Sequence, residues 1–382
     1  MMVSKKIKLI PPYLFNEIDK LKKSIEKPID FGIGDPDMPT PAVIVKEMEK
    51  QIKLKDNHRY PSYEGIIELR EEISNYFKKR FGADVDPENE VLILIGSKEG
   101  IAHSLEAFLD RQDEVLIPSI CYPVYRTQTV LKGGRPVEFP VLFENYFIPY
   151  FSDIKKRLTE KSKILFLNYP NNPTGAAVDK KFYDQAVDFA LNHNLIIMND
   201  NVYCDVYFSK MRPPSIMQSK QAKECSIEFH SFSKTFNMTG WRIGYAVGGS
   251  HLIKALKQIK MNTDSGVFVP IQKAALAGLK TIDSHIIKNN VILKKRVDVL
   301  CEALLEKNFE FHKPKASFYV FVKTKKNMKS AAFAEFLMRE AGIVTTPGGG
   351  FGQAGDDFVR FSLTLSDADL REGVKRIKRL KI

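Results

Sequence analysis

The sequence of 382 residues contains no hydrophobic run of the length that membrane-spanning helices require. Its longest apolar stretches, such as Val91–Ile95 and Lys163–Leu167, extend over only about five residues, whereas a spanning helix needs roughly 20. The basic start, Met-Met-Val-Ser-Lys-Lys, is not followed by the apolar segment and small-residue cleavage site of a signal peptide. We therefore expect no membrane contact and a cytoplasmic location.

Cysteine is scarce, and its four positions are widely spaced: Cys121, Cys204, Cys225 and Cys301. No Cys-x-x-Cys pair occurs, so neither a disulfide framework nor a zinc site is indicated. We expect buried free thiols and no metal.

Arginine-rich tracts and basic stripes interleaved with aromatic residues are also absent. The net charge is +12, but the lysines alternate with glutamates in segments such as Lys46–Lys55 and Glu68–Arg80. This pattern is typical of solvated helix faces, with some attraction for anionic substrates. We expect no nucleic-acid partner.

Internal repeats, low-complexity segments and long linkers are missing, and short β-rich runs alternate instead with helix-length patterns. The segment Gly65–Phe81, for example, carries apolar residues at helical spacing. Because parallel strands need crossover connections, the alternation predicts an α/β fold with a mostly parallel sheet sandwiched by helices. The strands predicted for this sheet are Val91–Ile95, Glu114–Ile117, Pro136–Val141, Ile164–Leu167, Leu195–Met198, Ile227–Phe229 and Ile243–Val247.

After about residue 265 the pattern changes to a long, mostly helical stretch that ends near Leu305. Two strands follow, Phe318–Lys323 and Phe358–Leu363, with helices at Ser330–Ala341 and Ala368–Leu380, which predicts a smaller α+β unit. A chain of this length exceeds what one hydrophobic core usually serves, which fits two domains. Ligands of open α/β sheets bind beyond the carboxyl ends of the strands, so we expect the chemistry there.

A lysine follows the predicted strand Ile227–Phe229 in the run Ser231-Phe-Ser-Lys-Thr-Phe-Asn-Met-Thr-Gly-Trp-Arg-Ile-Gly-Tyr245. Burial in a concave site at a strand end lowers the pKa of a lysine and makes it an amine nucleophile. Ser231 and Arg242 could converge on one dianion, the arginine through a bidentate fork. From these residues alone, Lys234 could equally be an ordinary surface lysine.

The same run resembles, almost residue for residue, the Schiff-base motif of the class I/II aminotransferases of PLP fold type I, which use pyridoxal 5′-phosphate (PLP). Further matches follow in order from about Ile33 to Arg360. The resemblance implies that Lys234 holds the cofactor and moves a proton during transamination between an amino acid and a 2-oxo acid. It also implies a large PLP-binding domain at 46–275 and a small domain built from both termini, 1–45 (with an N-terminal arm) and 276–382.

Three segments after predicted strands carry the residues that the resemblance assigns to the cofactor ring. Asn172, in Asn168-Tyr-Pro-Asn-Asn-Pro-Thr-Gly175, would bond the phenolic O3′ and help to bind the substrate carboxylate. In Asp200-Asn-Val-Tyr203, Asp200 would pair with the pyridine nitrogen and Tyr203 would donate to O3′. Tyr122 would stack on the ring. Without the resemblance, these residues could simply form a turn, cap a helix and pack in the core.

At the phosphate end, Gly96-Ser-Lys-Glu-Gly100 links a predicted strand to a helix, whose N-terminal N–H groups form an anion site. The residues expected around the phosphate are Gly96, Ser97, Lys98, Ser231, Ser233 and Arg242. In similar enzymes the tyrosine that matches Tyr60 reaches the phosphate of the neighbouring subunit. The resemblance therefore implies a homodimer with shared active sites.

Arg360 lies in Phe358-Val-Arg-Phe-Ser362, so its apolar neighbours Val359 and Phe361 face the other side of the predicted strand. The resemblance implies that Arg360 binds the substrate α-carboxylate as a fork. Gly34, which lacks a side chain, allows the backbone to approach the same carboxylate. A structural salt bridge is the alternative role for Arg360.

Four segments resemble LL-diaminopimelate aminotransferases in particular: Ile10–Lys20, His58–Gly65, Asp264–Phe268 and Pro347–Gly352. Such enzymes make LL-diaminopimelate from tetrahydrodipicolinate in lysine biosynthesis, with glutamate as amino donor. The substrate has a distal ammonium and a distal carboxylate, and Lys98 is our candidate for the carboxylate. One departure is Ser119-Ile-Cys121, where close relatives carry Asp-Pro-Gly, and we expect it to reshape the wall beside the cofactor.

Two other functions fit parts of this pattern. An aspartate-type or broad-specificity aminotransferase, or a PLP-dependent β-C–S lyase, would retain every residue named above, because the cofactor carries the hard chemistry. A regulator that uses this fold as an effector sensor would need a DNA-binding segment. The residues before Ile33 show no helix-turn-helix pattern, so we do not expect one.

Overall fold

The computed structural model describes residues 4–10, 26–210 and 212–382, without the side chain of Lys5. Most of the segment Ile10–Lys20, used above for the subfamily resemblance, lies outside these ranges. In chain order the strands are β1 (Ile29–Asp30), β2 (Val91–Leu94), β3 (Glu114–Pro118), β4 (Arg135–Phe139), β5 (Ser162–Leu167), β6 (Ile196–Asp200), β7 (Ser226–Ser231), β8 (Gly244–Gly248), β9 (Tyr319–Lys323), β10 (Ile343–Val344), β11 (Thr346–Pro347) and β12 (Phe358–Ser362). The α-helices of the described ranges are α1 (Ala42–Gln51), α2 (Ile67–Phe81), α3 (Ser97–Phe108), α4 (Val124–Leu131), α5 (Phe151–Lys155), α6 (Lys180–Asn192), α7 (Ala222–Cys225), α8 (Phe232–Thr235), α9 (Ser250–Met261), α10 (Val269–Leu279), α11 (Ile282–Glu306), α12 (Ser330–Ala341) and α13 (Asp367–Arg379).

The larger sheet contains seven strands in the order β2-β8-β7-β6-β5-β3-β4. The pairs from β7 to β4 are all parallel, whereas β8 runs antiparallel to both of its neighbours. All seven strands predicted for this sheet are present. The prediction of an α/β fold with a mostly parallel sheet is confirmed.

Helices cover both faces of this sheet because alternate residues of its strands are apolar and face opposite sides. On β2, Leu92 and Leu94 pack in one buried cluster with residues of α3 and α9. Val91 and Ile93 pack in another, which includes the apolar face predicted for the helix that is now α2. The sheet is therefore buried on both sides, and only its strand ends can carry an open site.

A second, separate core lies in the smaller unit. There β11, β12 and β9 form an antiparallel sheet, and α11 packs against α13. Strand β1 pairs in parallel with β10, so a segment near the start of the chain forms a two-stranded sheet with a segment near its end. This pairing fits a small domain built from both ends of the chain. The boundaries at 45 and 275 stay predictions, and α10, which crosses 275, packs on α1 and α2.

All four cysteines are buried and free, as predicted. Within the described ranges, no helix combines the length and the apolar character that crossing a membrane requires.

Candidate active site

A cavity of about 620 Å³ lies where the parallel strands end. Every predicted site residue except Gly96 and Tyr60 lines this cavity. The strand ends bring these residues together, because β6 ends at Asp200, β7 ends at Ser231, and Ser97 begins the helix after β2. The described lining of the cavity consists of Ile33, Gly34, Asp35, Ser97, Lys98, Tyr122, Asn168, Asn172, Asp200, Val202, Tyr203, Ser231, Ser233, Lys234, Thr239, Arg242, Tyr319 and Arg360.

Lys234 lies on the single-turn helix α8, which follows β7 directly. Its Nζ donates a hydrogen bond of 2.9 Å to the backbone oxygen of Gly34. Burial lowers the pKa of Lys234 to about 8; Asp35 opposes this shift, and the positive charges of Arg360 and Arg242 add to it. A substantial fraction of this amine is therefore neutral, and nucleophilic, at mildly alkaline pH.

Asp200 is the last residue of β6 and is only 5% exposed. Its Oδ2 accepts a hydrogen bond of 2.6 Å from the hydroxyl of Tyr125, whereas its buried Oδ1 has no hydrogen-bond partner among the described residues. Burial raises the pKa of Asp200 to about 6, against the lowering effect of the Tyr125 hydrogen bond. A buried acceptor without a partner suits a cationic N–H group in the cavity, such as a protonated pyridine nitrogen.

Arg242 and the start of α3 form a cationic corner of the cavity. Gly96 precedes α3 with φ of 88°, and a Cβ atom there would lie 2.5 Å from Nη2 of Arg242. The positive φ favours glycine, and the missing side chain leaves room for the guanidinium, so Gly96 contributes space rather than a surface of the cavity. Arg242 Nη1 donates to the backbone oxygen of Thr239 at 2.8 Å, which orients the guanidinium. A helix N-terminus beside an arginine is suited to a phosphate group.

Arg360 lies in the middle of β12 and is 1% exposed. Its guanidinium donates to Oδ1 of Asn172 at 2.8 Å, to the backbone oxygen of Gly32 at 2.6 Å and to Oγ1 of Thr346 at 3.2 Å. The adjacent residues Val359 and Phe361 are buried in the core of the smaller unit, as the strand pattern predicts. The guanidinium is thus held at the cavity by neutral oxygens, a suitable arrangement for a carboxylate ligand.

The remaining predicted residues lie as follows. Tyr203 is 4% exposed and lines the cavity, and the ring of Tyr122 packs edge-to-face on that of Tyr125. Nζ of Lys98 lies 5.9 Å from the centre of the Tyr122 ring. Tyr60 is 88% exposed and does not line the cavity of its own chain.

Sequence reasoning assigned no role to the following three residues, which contact the assigned ones. Asn168 donates from Nδ2 to the backbone oxygen of Asp200 at 2.6 Å, and Tyr125 binds the Asp200 carboxylate. Asn168 begins a motif quoted above, and Tyr125 lies three residues after the assigned Tyr122, so their proximity in the sequence was an available signal. Tyr319 also lines the cavity, and its hydroxyl lies 3.1 Å from that of Tyr203. It belongs to an apolar strand pattern that offers no such signal.

The departure Ser119-Ile120-Cys121 does not place its side chains on the cavity wall, contrary to our prediction. Oγ of Ser119 accepts a hydrogen bond of 3.2 Å from the backbone of Val141. Ile120 and Cys121 are buried in two different core clusters. All three residues of the segment are buried in the protein interior.

Comparison with known proteins agrees with this geometry. The model of a family described as "Aminotransferase class I and II" matches residues 26–377. The LL-diaminopimelate aminotransferase of Aquifex aeolicus (strain VF5) is 44% identical over 383 residues, which cover 99% of each protein. That of Halothermothrix orenii is 43% identical over 98% of this chain and 97% of its own length.

Solved structures show the same architecture over the whole chain. Substrate-bound BacF from Bacillus subtilis is similar with a TM-score of 0.96 at 33% identity, covering 100% of this chain and 98% of that one. Aspartate aminotransferase from Thermus thermophilus with maleate is similar with a TM-score of 0.93 at 27% identity, covering 99% of both chains.

Proposed function

The chain belongs to the class I and II aminotransferases, and from this premise we propose that it transfers an amino group between LL-diaminopimelate and 2-oxoglutarate in lysine biosynthesis. It is a PLP-dependent aminotransferase of fold type I that acts on amino acids and 2-oxo acids. The choice of substrate is supported by one observation above all. Relatives that carry the name LL-diaminopimelate aminotransferase match nearly the full length of the chain at 44% and 43% identity.

The cavity offers partners for each part of PLP. When bound, PLP supplies an aldehyde for an amine and a ring that accepts negative charge from the substrate α-carbon. Oδ1 of Asp200, which has no partner among the described residues, is our choice for the ring nitrogen, with Tyr122 against the face of the ring. We assign Tyr203 and Asn172 to the phenolic oxygen. The phosphate group is assigned to the backbone N–H groups of Gly96, Ser97 and Lys98 at the start of α3, and to Ser231, Ser233 and Arg242.

Lys234 has two tasks in this proposal. Its Nζ would hold the cofactor, and as a neutral amine it would move the proton at the substrate α-carbon. Both tasks need an unprotonated nitrogen, and the pKa of about 8 makes one available near physiological pH. The contact of Nζ with Gly34 keeps this nitrogen beside the segment that we assign to the substrate carboxylate.

Substrate recognition is assigned to two positively charged residues of the cavity lining and their neighbours. Arg360, with Asn172 and the backbone at Gly34, binds the α-carboxylate, and its buried position makes this a strong and directional charge-assisted contact. Lys98 binds the distal carboxylate of diaminopimelate. Lys98 is exposed, and its side chain is long and flexible enough for the ammonium group to follow a substrate side chain.

We further propose a homodimer in which Tyr60 enters the site of the neighbouring subunit. A tyrosine that is 88% exposed in one chain buries a large surface when a second chain covers it. We also propose a cytoplasmic location, because four free and buried thiols suit a reducing compartment.

The decisive experiment is an amino-donor screen with the purified PLP-loaded enzyme. Glutamate formation from 2-oxoglutarate should be fastest with LL-diaminopimelate, compared with aspartate, aromatic amino acids and the meso isomer of diaminopimelate. Cystathionine is added to the screen, and release of pyruvate and ammonia from it would identify a β-C–S lyase instead. Faster turnover of aspartate than of LL-diaminopimelate would reject the proposed substrate and leave the aminotransferase family unchanged.

A further inference from the structure

Tyr319 has no role in the proposed function, but it contacts two residues that do, Tyr203 and Arg360. It begins β9, is 2% exposed and lines the cavity. Its hydroxyl lies 3.1 Å from the hydroxyl of Tyr203. On the face of its ring, the guanidinium carbon of Arg360 lies 4.3 Å from the ring centre. One side chain thus touches both the residue assigned to the cofactor oxygen and the residue assigned to the substrate carboxylate.

The backbone around Tyr319 is shaped to admit this hydroxyl. A Cβ atom at Gly34 would overlap the Tyr319 oxygen, so a glycine at position 34 is what leaves the hydroxyl its place. The carbonyl of the same Gly34 accepts the hydrogen bond from Lys234. A glycine at position 34 is therefore favoured even without a ligand, because the Tyr319 hydroxyl occupies the space that a side chain there would need.

We propose that Tyr319 is a positioning residue that orients the hydroxyl of Tyr203 through its own hydroxyl and holds the guanidinium of Arg360 through its ring. This inference rests on the roles proposed above for Tyr203 and Arg360. It deepens them by making one residue responsible for the geometry of both.

The direction of the hydroxyl effect follows from the number of protons. Each phenol has a single proton, so a Tyr203 that donates to the cofactor oxygen leaves its own oxygen as the acceptor for Tyr319. Hydrogen bonds in such a chain strengthen one another, and Tyr203 becomes a better donor. A better donor stabilises negative charge on the cofactor oxygen, and this favours the unprotonated form of the linkage to Lys234.

The ring effect concerns the substrate side alone. A guanidinium over an aromatic face gains electrostatic attraction, and in a buried site the ring also fixes the plane of the fork. The three hydrogen bonds of Arg360 remain when the ring is removed, but one face of the guanidinium loses its support. Substrate binding should therefore suffer more than the chemistry.

The first test is Tyr319→Phe, which keeps the ring and removes the hydroxyl. The visible absorbance of the PLP-loaded protein is titrated with pH to obtain the pKa of its linkage to Lys234. We expect a rise of about half a unit to one unit, the size of one hydrogen bond. The matched control is Tyr183→Phe, which removes a hydroxyl that is equally buried but donates to the backbone of Tyr169, outside the cavity. An unshifted titration in Tyr319→Phe would overturn the hydroxyl role.

A double-mutant comparison separates positioning from a general structural effect. In a Tyr203→Phe background, Tyr319→Phe should cause no further shift, because its hydroxyl then has no partner through which to act. The same shift in both backgrounds would contradict action through Tyr203.

The ring is tested with Tyr319→Leu. We expect the KM for the amino donor to rise about tenfold with a much smaller change in kcat, while Tyr319→Phe leaves KM within about twofold. Equal effects of Leu and Phe on KM would overturn the ring role, and the Phe titration stands by itself if the Leu variant does not fold. Wild-type protein that binds PLP without a linkage to Lys234 would instead overturn the proposed function.

Discussion

The hydroxyl of Tyr125 donates a 2.6 Å hydrogen bond to Oδ2 of Asp200, in a contact between two buried side chains. The ring of Tyr125 stacks on Phe166 with the centroids 4.5 Å apart, so the donor is held firmly. This fixed contact occupies one oxygen of the carboxylate and leaves Oδ1 without a partner among the described residues. The site is thus arranged in advance for a cation, at a cost to the stability of the cofactor-free protein.

That cost gives a prediction for Asp200→Asn in the cofactor-free protein. The folded pKa of Asp200, about 6, lies above its unfolded value, so the folded state binds the proton more tightly. As the pH rises from about 4 to 6, the wild-type protein therefore loses unfolding free energy at this site, and the neutral variant does not. Urea unfolding should show the variant more stable near neutral pH by about 2–3 kcal/mol and equal to wild type below about pH 4.

The control for this comparison is Asp188→Asn, an exposed position on α6, which should leave stability unchanged at both pH values. In the PLP-loaded enzyme the same substitution should be harmful. Asp200→Asn should lower kcat by about 100-fold or more, because the preorganised charge at the ring is lost. An Asp200→Asn enzyme with wild-type kcat would exclude contact between this carboxylate and the ring.

Lys234 should carry the cofactor covalently after reduction. Borohydride treatment of the yellow, PLP-loaded protein should fix the chromophore on the peptide that contains Lys234, as peptide mass spectrometry can establish. Lys234→Ala should give no labelled peptide, while Lys98→Ala, at the other lysine of the described lining, should still be labelled at position 234. A label elsewhere would remove the basis of the site assignment.

Substitution of the two arginines of the described cavity lining should impair different properties, substrate binding for Arg360 and PLP binding for Arg242. Arg360→Ala should raise the KM for the amino donor by about 10- to 100-fold, the size of a charge-assisted hydrogen bond, with PLP retained. Arg242→Ala serves as the comparison and should mainly weaken PLP binding. Fluorescence of Trp241, the single tryptophan of the chain, can follow that binding. Unchanged kinetics in Arg360→Ala would contradict its role at the carboxylate.

Shared sites in a dimer predict complementation between two inactive variants. Tyr60→Ala and Lys234→Ala proteins, each with little activity, are mixed, unfolded and refolded together. Random pairing gives hybrid dimers in which one site has both native residues, so activity should recover to about a quarter of wild type. Two variants refolded separately and then mixed are the control. Absence of recovery, with dimers present by light scattering, would place Tyr60 outside the neighbouring site.

Much of this fold could be predicted because its local signals agree with its tertiary structure. The helical spacing of apolar residues in Gly65–Phe81 predicted α2, which the structure has at Ile67–Phe81, because the residues that pack on the sheet recur with the period of a helix. The strands of the large sheet were predicted because, buried on both faces, they are short continuous apolar runs. By contrast, β1 and β10 contain two residues each, and no local pattern predicts that Ile29 pairs with Ile343.

The site was partly predictable for a similar reason. Charged residues soon after predicted strands, such as Lys234 and Asp200, stand out because charged groups close to apolar runs are unusual. Tyr319 does not stand out, since a tyrosine in an apolar strand is ordinary. The effect of Ser119-Ile120-Cys121 was misjudged because the direction of a side chain in a loop depends on what packs beside it.

The sequence by itself determined the alternation of strands and helices, the positions of the chemical groups along the chain and, through its motifs, the family. Only the tertiary structure decided that one oxygen of Asp200 is bound by Tyr125 while the other is unsatisfied, and that Tyr319 joins Tyr203 to Arg360. The physical reason is that sequence periodicity reflects neighbours a few residues apart. The contacts of Tyr125 with Asp200 and of Tyr203 with Tyr319 join residues 75 and 116 positions apart, and the contact of Asn172 with Arg360 joins residues 188 positions apart. Contacts of that separation, and the pKa values that burial produces, exist only once the chain has packed.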